Sequence, residues 1–228
     1  MIVVIGSPAW RTAPAPAPAG RACGIALAAA ARGARVELVG RVGEDPVGEA
    51  LLIALANAGV GHAAILRDPT RPTPRLEPAA PAEDDEASLF ADPAPVVAPA
   101  HGALGGSAGL RLDGADIDLA IKYLEPSGVL VVTDDVPPDV LAAAVEAGGY
   151  AQMRLVVLLA PGGLGARSLP AGIPADATVL AAPDDGDDAG AFEALVGAYA
   201  AALDGGADPA DAFTEAQGAT GWEPAAAN

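Results

Sequence analysis

The 228-residue chain sets 12 Lys and Arg against 30 Asp and Glu, a formal net charge of −18, and about half of its 52% hydrophobic fraction is alanine. A pI near 4.1 argues against a nucleic-acid groove, which needs clustered Lys and Arg, and no apolar run reaches the roughly 18–20 residues of a membrane span. The single cysteine, Cys23, excludes an intramolecular disulfide and a multi-Cys metal site, and two histidines, His62 and His101, leave no His-rich one.

Met1-Ile2-Val3-Val4-Ile5-Gly6 is a β-branched run ending in glycine, the profile of a buried parallel strand and not of a basic signal segment. A cytoplasmic setting is expected. Pro8–Pro18 alternates alanine and proline, and proline has no amide to give a sheet interior, so an extended connector is expected. Gly20–Arg32 reads as a helix closed by Gly33, and Arg35–Val39 as a strand ending at Gly40. Asp45 and Pro46 are a good cap and first residue for a helix reaching Asn57 and stopped at Gly59. Gly61–Leu66 follows as a third strand, and this order calls for a parallel sheet with right-handed crossovers.

Residues 68–100 break the pattern with proline and acid (Glu83-Asp84-Asp85-Glu86) and leave room for one short edge strand at Ala87–Phe90. Strands are expected at Gly128–Val132, Arg154–Leu159 and Thr178–Leu180, and helices at Pro138–Ala147, Phe192–Leu203 and Pro209–Gly218. No internal repeat or domain-scale linker is visible, so residues 1–228 read as one α/β domain.

From Gly33 through Gly48 the chain reads helix stop, strand, Gly40-Arg41-Val42-Gly43-Glu44-Asp45-Pro46-Val47-Gly48, then an apolar helix and Gly59-Val60. This segment, with Arg67-Asp68-Pro69-Thr70 before Pro72-Thr73, resembles the ribokinase-type (PfkB) carbohydrate kinases. Val136-Pro137-Pro138, Ala160-Pro161 and Asp208-Pro209-Ala210-Asp211-Ala212 extend the resemblance. It implies a three-layer α/β/α fold with a mainly parallel sheet. It also implies ATP- and Mg²⁺-dependent phosphorylation of a sugar or nucleoside hydroxymethyl group. In that chemistry amides at a helix start stabilise the transferring phosphoryl while an aspartate takes the hydroxyl proton.

Carried over position by position, the resemblance puts the substrate aspartate at Arg11, the double glycine at Ala19-Gly20 and the substrate asparagine at Gly24. Arginine accepts no hydrogen bond and glycine has no side chain to offer one. The catalytic aspartate falls on Gly190, within an anion-hole region Ala189-Gly190-Ala191, with Asp188 beside it as a weak alternative base. Asp184 and Asp187 take the places of the asparagine and glutamate that organise Mg²⁺ and phosphate. The connector before the first helix is too short for full lid strands, so the lid is expected to be reduced or absent, and the strands between the last two motifs, which in the resemblance help carry the ATP site, are missing.

Each of these residues also has a plain structural reading. The acids Asp184, Asp185, Asp187 and Asp188 suit the start of the following helix by charge alone. Gly102–Ser107 and Pro161–Gly165 lack the Gly-Lys-Ser/Thr of a P-loop and read as ordinary loops. Lys122 reads as a helix surface position, Cys23 as a small buried residue, and His62 and His101 as surface or turn residues. Trp10 and Trp222 read as covers for apolar surface. The expectation is a catalytically degenerate ribokinase-like protein, with ATP and Mg²⁺ as cofactors only if it is active. Its partners would be a small sugar or nucleoside and a homo- or hetero-oligomer, with neither nucleic acid nor membrane. Two alternatives stay open: an active small kinase using the Asp184–Asp188 cluster, and a non-enzymatic α/β binding or assembly module.

Overall fold

The computed structural model describes residues 1–76, 110–124, 127–161, 172–183 and 190–222. Four β-branched residues, Ile2–Ile5, form β1 and are all fully buried. A strand buried on both faces needs parallel neighbours with crossover helices above and below. It has β4 (Val36–Gly43) on one side and β8 (Val129–Val132) on the other, both parallel to it. Beyond β4 lie β5 (Val60–Gly61) and β6 (Ile65–Asp68), and beyond β8 lie β9 (Arg154–Leu159) and β10 (Thr178–Ala181). The seven-stranded sheet runs β10-β9-β8-β1-β4-β5, with β6 also on β4.

The two-residue side-chain period of the strands sorts the core into two layers. Ile2, Val4, Leu38, Val131 and Val156 face α1 (Arg21–Ala31), α2 (Pro46–Asn57), α5 (Ala191–Asp204) and α6 (Pro209–Thr220). Val3, Ile5, Leu130, Val132 and Val157 face α3 (Gly114–Tyr123) and α4 (Pro138–Tyr150). The architecture is the expected three-layer α/β/α. Alanine has a use in it: Ala22, Ala26 and Ala29 of α1 are fully buried, which lets α1 and α5 pack closely. Among the described residues no helix is long and apolar enough to cross a membrane.

Four expectations need correction. Pro8–Pro18 is not a bare connector, because Ala9–Arg11 forms β2 and Ala17–Ala19 forms β3, paired antiparallel. Proline is excluded from sheet interiors, but β3 is an edge strand, and Pro18 sits there opposite Trp10. Arg75–Leu76, inside the segment expected to be irregular, forms β7 on the other side of β2. Among the described residues the lid is this three-stranded sheet.

The strand through Val39 does not end at Gly40 but continues to Gly43. Glycine is needed there because a Cβ at residue 40 would lie 2.9 Å from the Gly6 carbonyl oxygen and as close to the Pro8 ring. Finally, the strand expected over Gly61–Leu66 is two short strands, β5 and β6, separated by a turn at Ala63-Ala64. The expectations for Ala87–Phe90, His101, Gly102–Ser107 and most of Pro161–Gly165 lie outside the described residues.

Asp45 joins α2 to the lid. Its carboxylate accepts from the Gly48 amide at 2.7 Å, the Thr73 amide at 2.8 Å and the Thr73 hydroxyl at 2.9 Å. Burial pushes its pKa up, but these hydrogen bonds outweigh burial and hold it below the ordinary 3.8. A depressed carboxylate contributes stability above its unfolded pKa and loses it as the pH falls through the folded one. Asp45→Ala is therefore expected to cost about 2 kcal/mol at pH 7 in urea unfolding. The gap from wild type should narrow below pH 3.8, and a gap unchanged by acid would assign the loss to packing.

Candidate functional site

Chain order reverses across β1. The first crossovers build outward through β4 to β5 and β6, whereas β8, β9 and β10 build outward on the opposite side. Loops leaving adjacent strands in opposite directions open a crevice at the carboxyl ends of β1 and β8. The residues there are Gly6-Ser7 after β1 and Thr133-Asp134-Asp135 after β8.

Asp135 bridges the two strand ends. Its Oδ2 accepts from the Ser7 amide at 3.1 Å, and its Oδ1 accepts from the Thr133 hydroxyl, which is also 3.0 Å from the Ile5 carbonyl oxygen. Burial raises its pKa above the usual carboxylate value and the Asp134 charge adds to the rise, with the Thr133 and Ser7 bonds opposing. Beside it lies a cavity of about 90 Å³, whose lining includes Ser7, Arg41, Pro74, Arg111 and Asp135. Arg41 is tied to Asp116 at 2.7 Å, and Asp116 also closes a capping box with Asp113 at the start of α3.

Asp134 turns to the other side. Its Oδ1 is 2.7 Å from Nε of Arg21, the first residue of α1, and the Arg21 Nη1 is 2.9 Å from Oε1 of Glu193 in the first turn of α5. The Arg21 guanidinium also lies 5.4 Å from the Phe192 ring centroid, and Phe192 packs on Trp222. Arg21 and Asp134 are each 13% exposed and Glu193 is 19%, so these pairs are largely withdrawn from solvent screening.

The sequence-derived positions are placed as follows. Arg11 is exposed in β2, with its Nε donating to the Ala15 carbonyl at 3.2 Å. Gly20 caps α1 at φ 86° beside the Ser7 carbonyl. Gly24 lies directly against Glu193, so that a Cβ there would be 2.9 Å from Glu193 Cγ. Gly190 caps α5 at φ 68°, and Ala191 is the first helical residue. Ala189, Asp184, Asp187 and Asp188 lie outside the described residues. Thus Gly24 and the start of α5 are brought together, while Arg11 points to the loop of its own hairpin.

Cys23 is buried, and burial pushes its thiol up to about 12, which leaves it without nucleophilic character near neutrality. Lys122 is exposed on α3, and Trp10 and Trp222 pack against the core as covers. His62 is only partly exposed, and its Nδ1 is buried without a hydrogen-bond partner. Among the described residues no group of three His, Cys, Asp or Glu is placed to hold a metal ion.

Residues missed in the sequence are Arg21, Asp134, Asp135 and Glu193. The available signal was Thr133-Asp134-Asp135, two carboxylates directly after a fully apolar strand.

No protein-family profile and no curated protein matches the sequence. Solved structures do match it. An Escherichia coli protein described as a ribokinase II superposes with a TM-score of 0.66 at 15% identity, over 96% of this chain and 91% of that one. The fold is ribokinase-like. A PfkB protein from Polaromonas sp. gives 0.65 at 16% identity, over 94% of this chain and 92% of that one. Arabidopsis thaliana ribokinase complexed with ribose and ATP gives 0.64 at 15%, over 96% and 90%. At these identities the likeness establishes the ribokinase-like fold and leaves the chemistry to be argued from the residues.

The raised pKa of Asp135 means that the folded state holds its proton more tightly than the unfolded chain does. Stability from that proton is complete below the ordinary 3.8 and is lost as the pH rises through the folded value. Asp135→Asn is accordingly expected to raise the Tm at pH 7, with the gain vanishing toward pH 3.8. A lower Tm at pH 7 would mean that the charged carboxylate stabilises the fold.

Proposed function

We propose that the chain is a catalytically silent ribokinase-fold protein that binds a small molecule at the carboxyl edge of its sheet without transferring phosphate to it. The observation that carries this reading is the Arg21 guanidinium, held between Asp134 and Glu193 where α1 meets the start of α5. In the resemblance, substrate and phosphoryl group meet between the Gly24 and Gly190 positions. Here the Glu193 side chain lies on Gly24 in that space.

The described residues at the α5 start do not fit a polyphosphate. Phosphate is drawn to a helix N-terminus by free amides and the positive end of the dipole. Glu193 already supplies a carboxylate to this first turn. Gly190 has no side chain to take the proton of an attacking hydroxyl, and general-base chemistry needs such a group within hydrogen-bond reach. Arg11 and Gly24 supply no acceptor for substrate hydroxyls. No step through ATP or Mg²⁺ is therefore assigned.

The reading treats residues 1–228 as one unit acting in the cytoplasm, with 68–100 carrying what remains of the lid. The described lid strands, β2, β3 and β7, offer little surface for a lid-to-lid dimer, so an oligomer would use another face. With Mg-ATP and a panel of pentoses, hexoses and nucleosides, ADP release is expected to stay at the rate without acceptor. Acceptor-dependent turnover abolished by Asp187→Asn or Asp188→Asn would overturn the proposal and support a kinase built on the Asp184–Asp188 cluster.

A further inference from the structure

The chain has 12 cationic side chains, and two of them, Arg41 and Arg111, line the cavity of about 90 Å³ beside Asp135. In a molecule of net charge −18 the overall field repels anions, so cations gathered at one cavity act locally. Arg41 is only half used: its Nη2 holds Asp116, but its Nε is buried with no hydrogen-bond partner. A buried guanidinium N–H left unpaired is costly, and Arg41 is among the residues that line the cavity. Arg111 is exposed and has no ion-pair partner among the described residues.

We propose that this cavity binds a small hydroxy-carboxylate, with its carboxylate on Arg41 and Arg111 and its hydroxyl on Asp135. The inference rests on the reading of the protein as a small-molecule binder and names the ligand class of that site. Guanidinium groups present paired N–H donors matched to a carboxylate. Within the protein Asp135 accepts from Ser7 and, at Oδ1, from Thr133, and Oδ1 keeps acceptor capacity for a ligand hydroxyl.

Charge and size restrict the class further. Arg41 is offset by Asp116, and burial favours the neutral form of Asp135, with Asp134 already committed to Arg21. Arg111, which has no ion-pair partner among the described residues, offers its charge to a monoanion. At about 30 Å³ of liquid volume per water, a space of about 90 Å³ holds about three waters, which suits a three-carbon molecule better than a hexose. Pro74, just before β7, brings the reduced lid to the cavity wall.

The test is calorimetric titration of the full chain with D-glycerate, with glycerol lacking the carboxylate and propionate lacking the hydroxyls. D-glycerate is expected to bind saturably and more tightly than either. Arg111→Ala, a change at an exposed side chain, should weaken D-glycerate about tenfold, the loss of one charge-assisted contact. Asp135→Asn should narrow the preference for D-glycerate over propionate. Binding of D-glycerate no tighter than that of glycerol, or unchanged in Arg111→Ala, would overturn the inference. The same samples, given Mg-ATP and D-glycerate, separate the two proposals. ADP release would overturn the silent reading alone, whereas absent binding with no ADP would overturn the ligand class alone.

Discussion

The carboxyl end of this sheet is organised by the position of β1 between β4 and β8. That placement puts Ser7 next to Asp135, although 128 residues separate them in the chain. It also forces consecutive residues after β8 to serve opposite sides. Asp134 reaches Arg21 on the α1–α5 side, and Asp135 faces the cavity lined by Arg41 and Arg111. A parallel sheet with fully buried central strands tolerates no slip of register, because a shift of one residue would send Ile2 and Val4 to the opposite layer. The two acids are fixed as firmly as the strand that ends before them.

The two halves of this edge differ in consequence. On the α1–α5 side an arginine is enclosed by two carboxylates and an aromatic ring, and the space between helices is taken by protein side chains. Removing one partner of such a buried set leaves an uncompensated charge, so the arrangement is held closed by the cost of opening it. On the other side a carboxylate with a raised pKa, a half-used arginine and an arginine without an ion-pair partner among the described residues line one cavity. Groups that cost stability where they stand point to binding more strongly than groups that satisfy one another.

Much of the fold was legible because local chemistry wrote it. Asp45-Pro46 began α2 and Gly59 ended it, and the β-branched run at residues 2–5 was buried on both faces as its composition demanded. What local chemistry could not supply was pairing. Pro8–Pro18 was read as unable to join a sheet interior, yet its proline-free Ala9–Arg11 lies between β3 and β7, and only Pro18 is left to an edge strand. Gly40 looked like a strand end because its reason for being glycine, the approach of Gly6 and Pro8, comes from a distant part of the chain. The site failed to appear for the same reason. The positions that the resemblance assigns to substrate and base, Arg11, Gly24 and Gly190, could be counted in sequence, but the meeting of Arg21, Asp134 and Glu193 depends on strand order and helix packing.

The central claim is that Arg21 and Glu193 occupy the place where substrate and phosphate would meet. A crystal structure of the full chain grown with Mg-ATP and ribose tests it most directly. The account predicts that Arg21 keeps both Asp134 and Glu193 as partners, with Glu193 still against Gly24 and neither ribose nor nucleotide between α1 and α5. Glu193 swung away from Gly24, with a nucleotide phosphate on the amides at the start of α5, would contradict it.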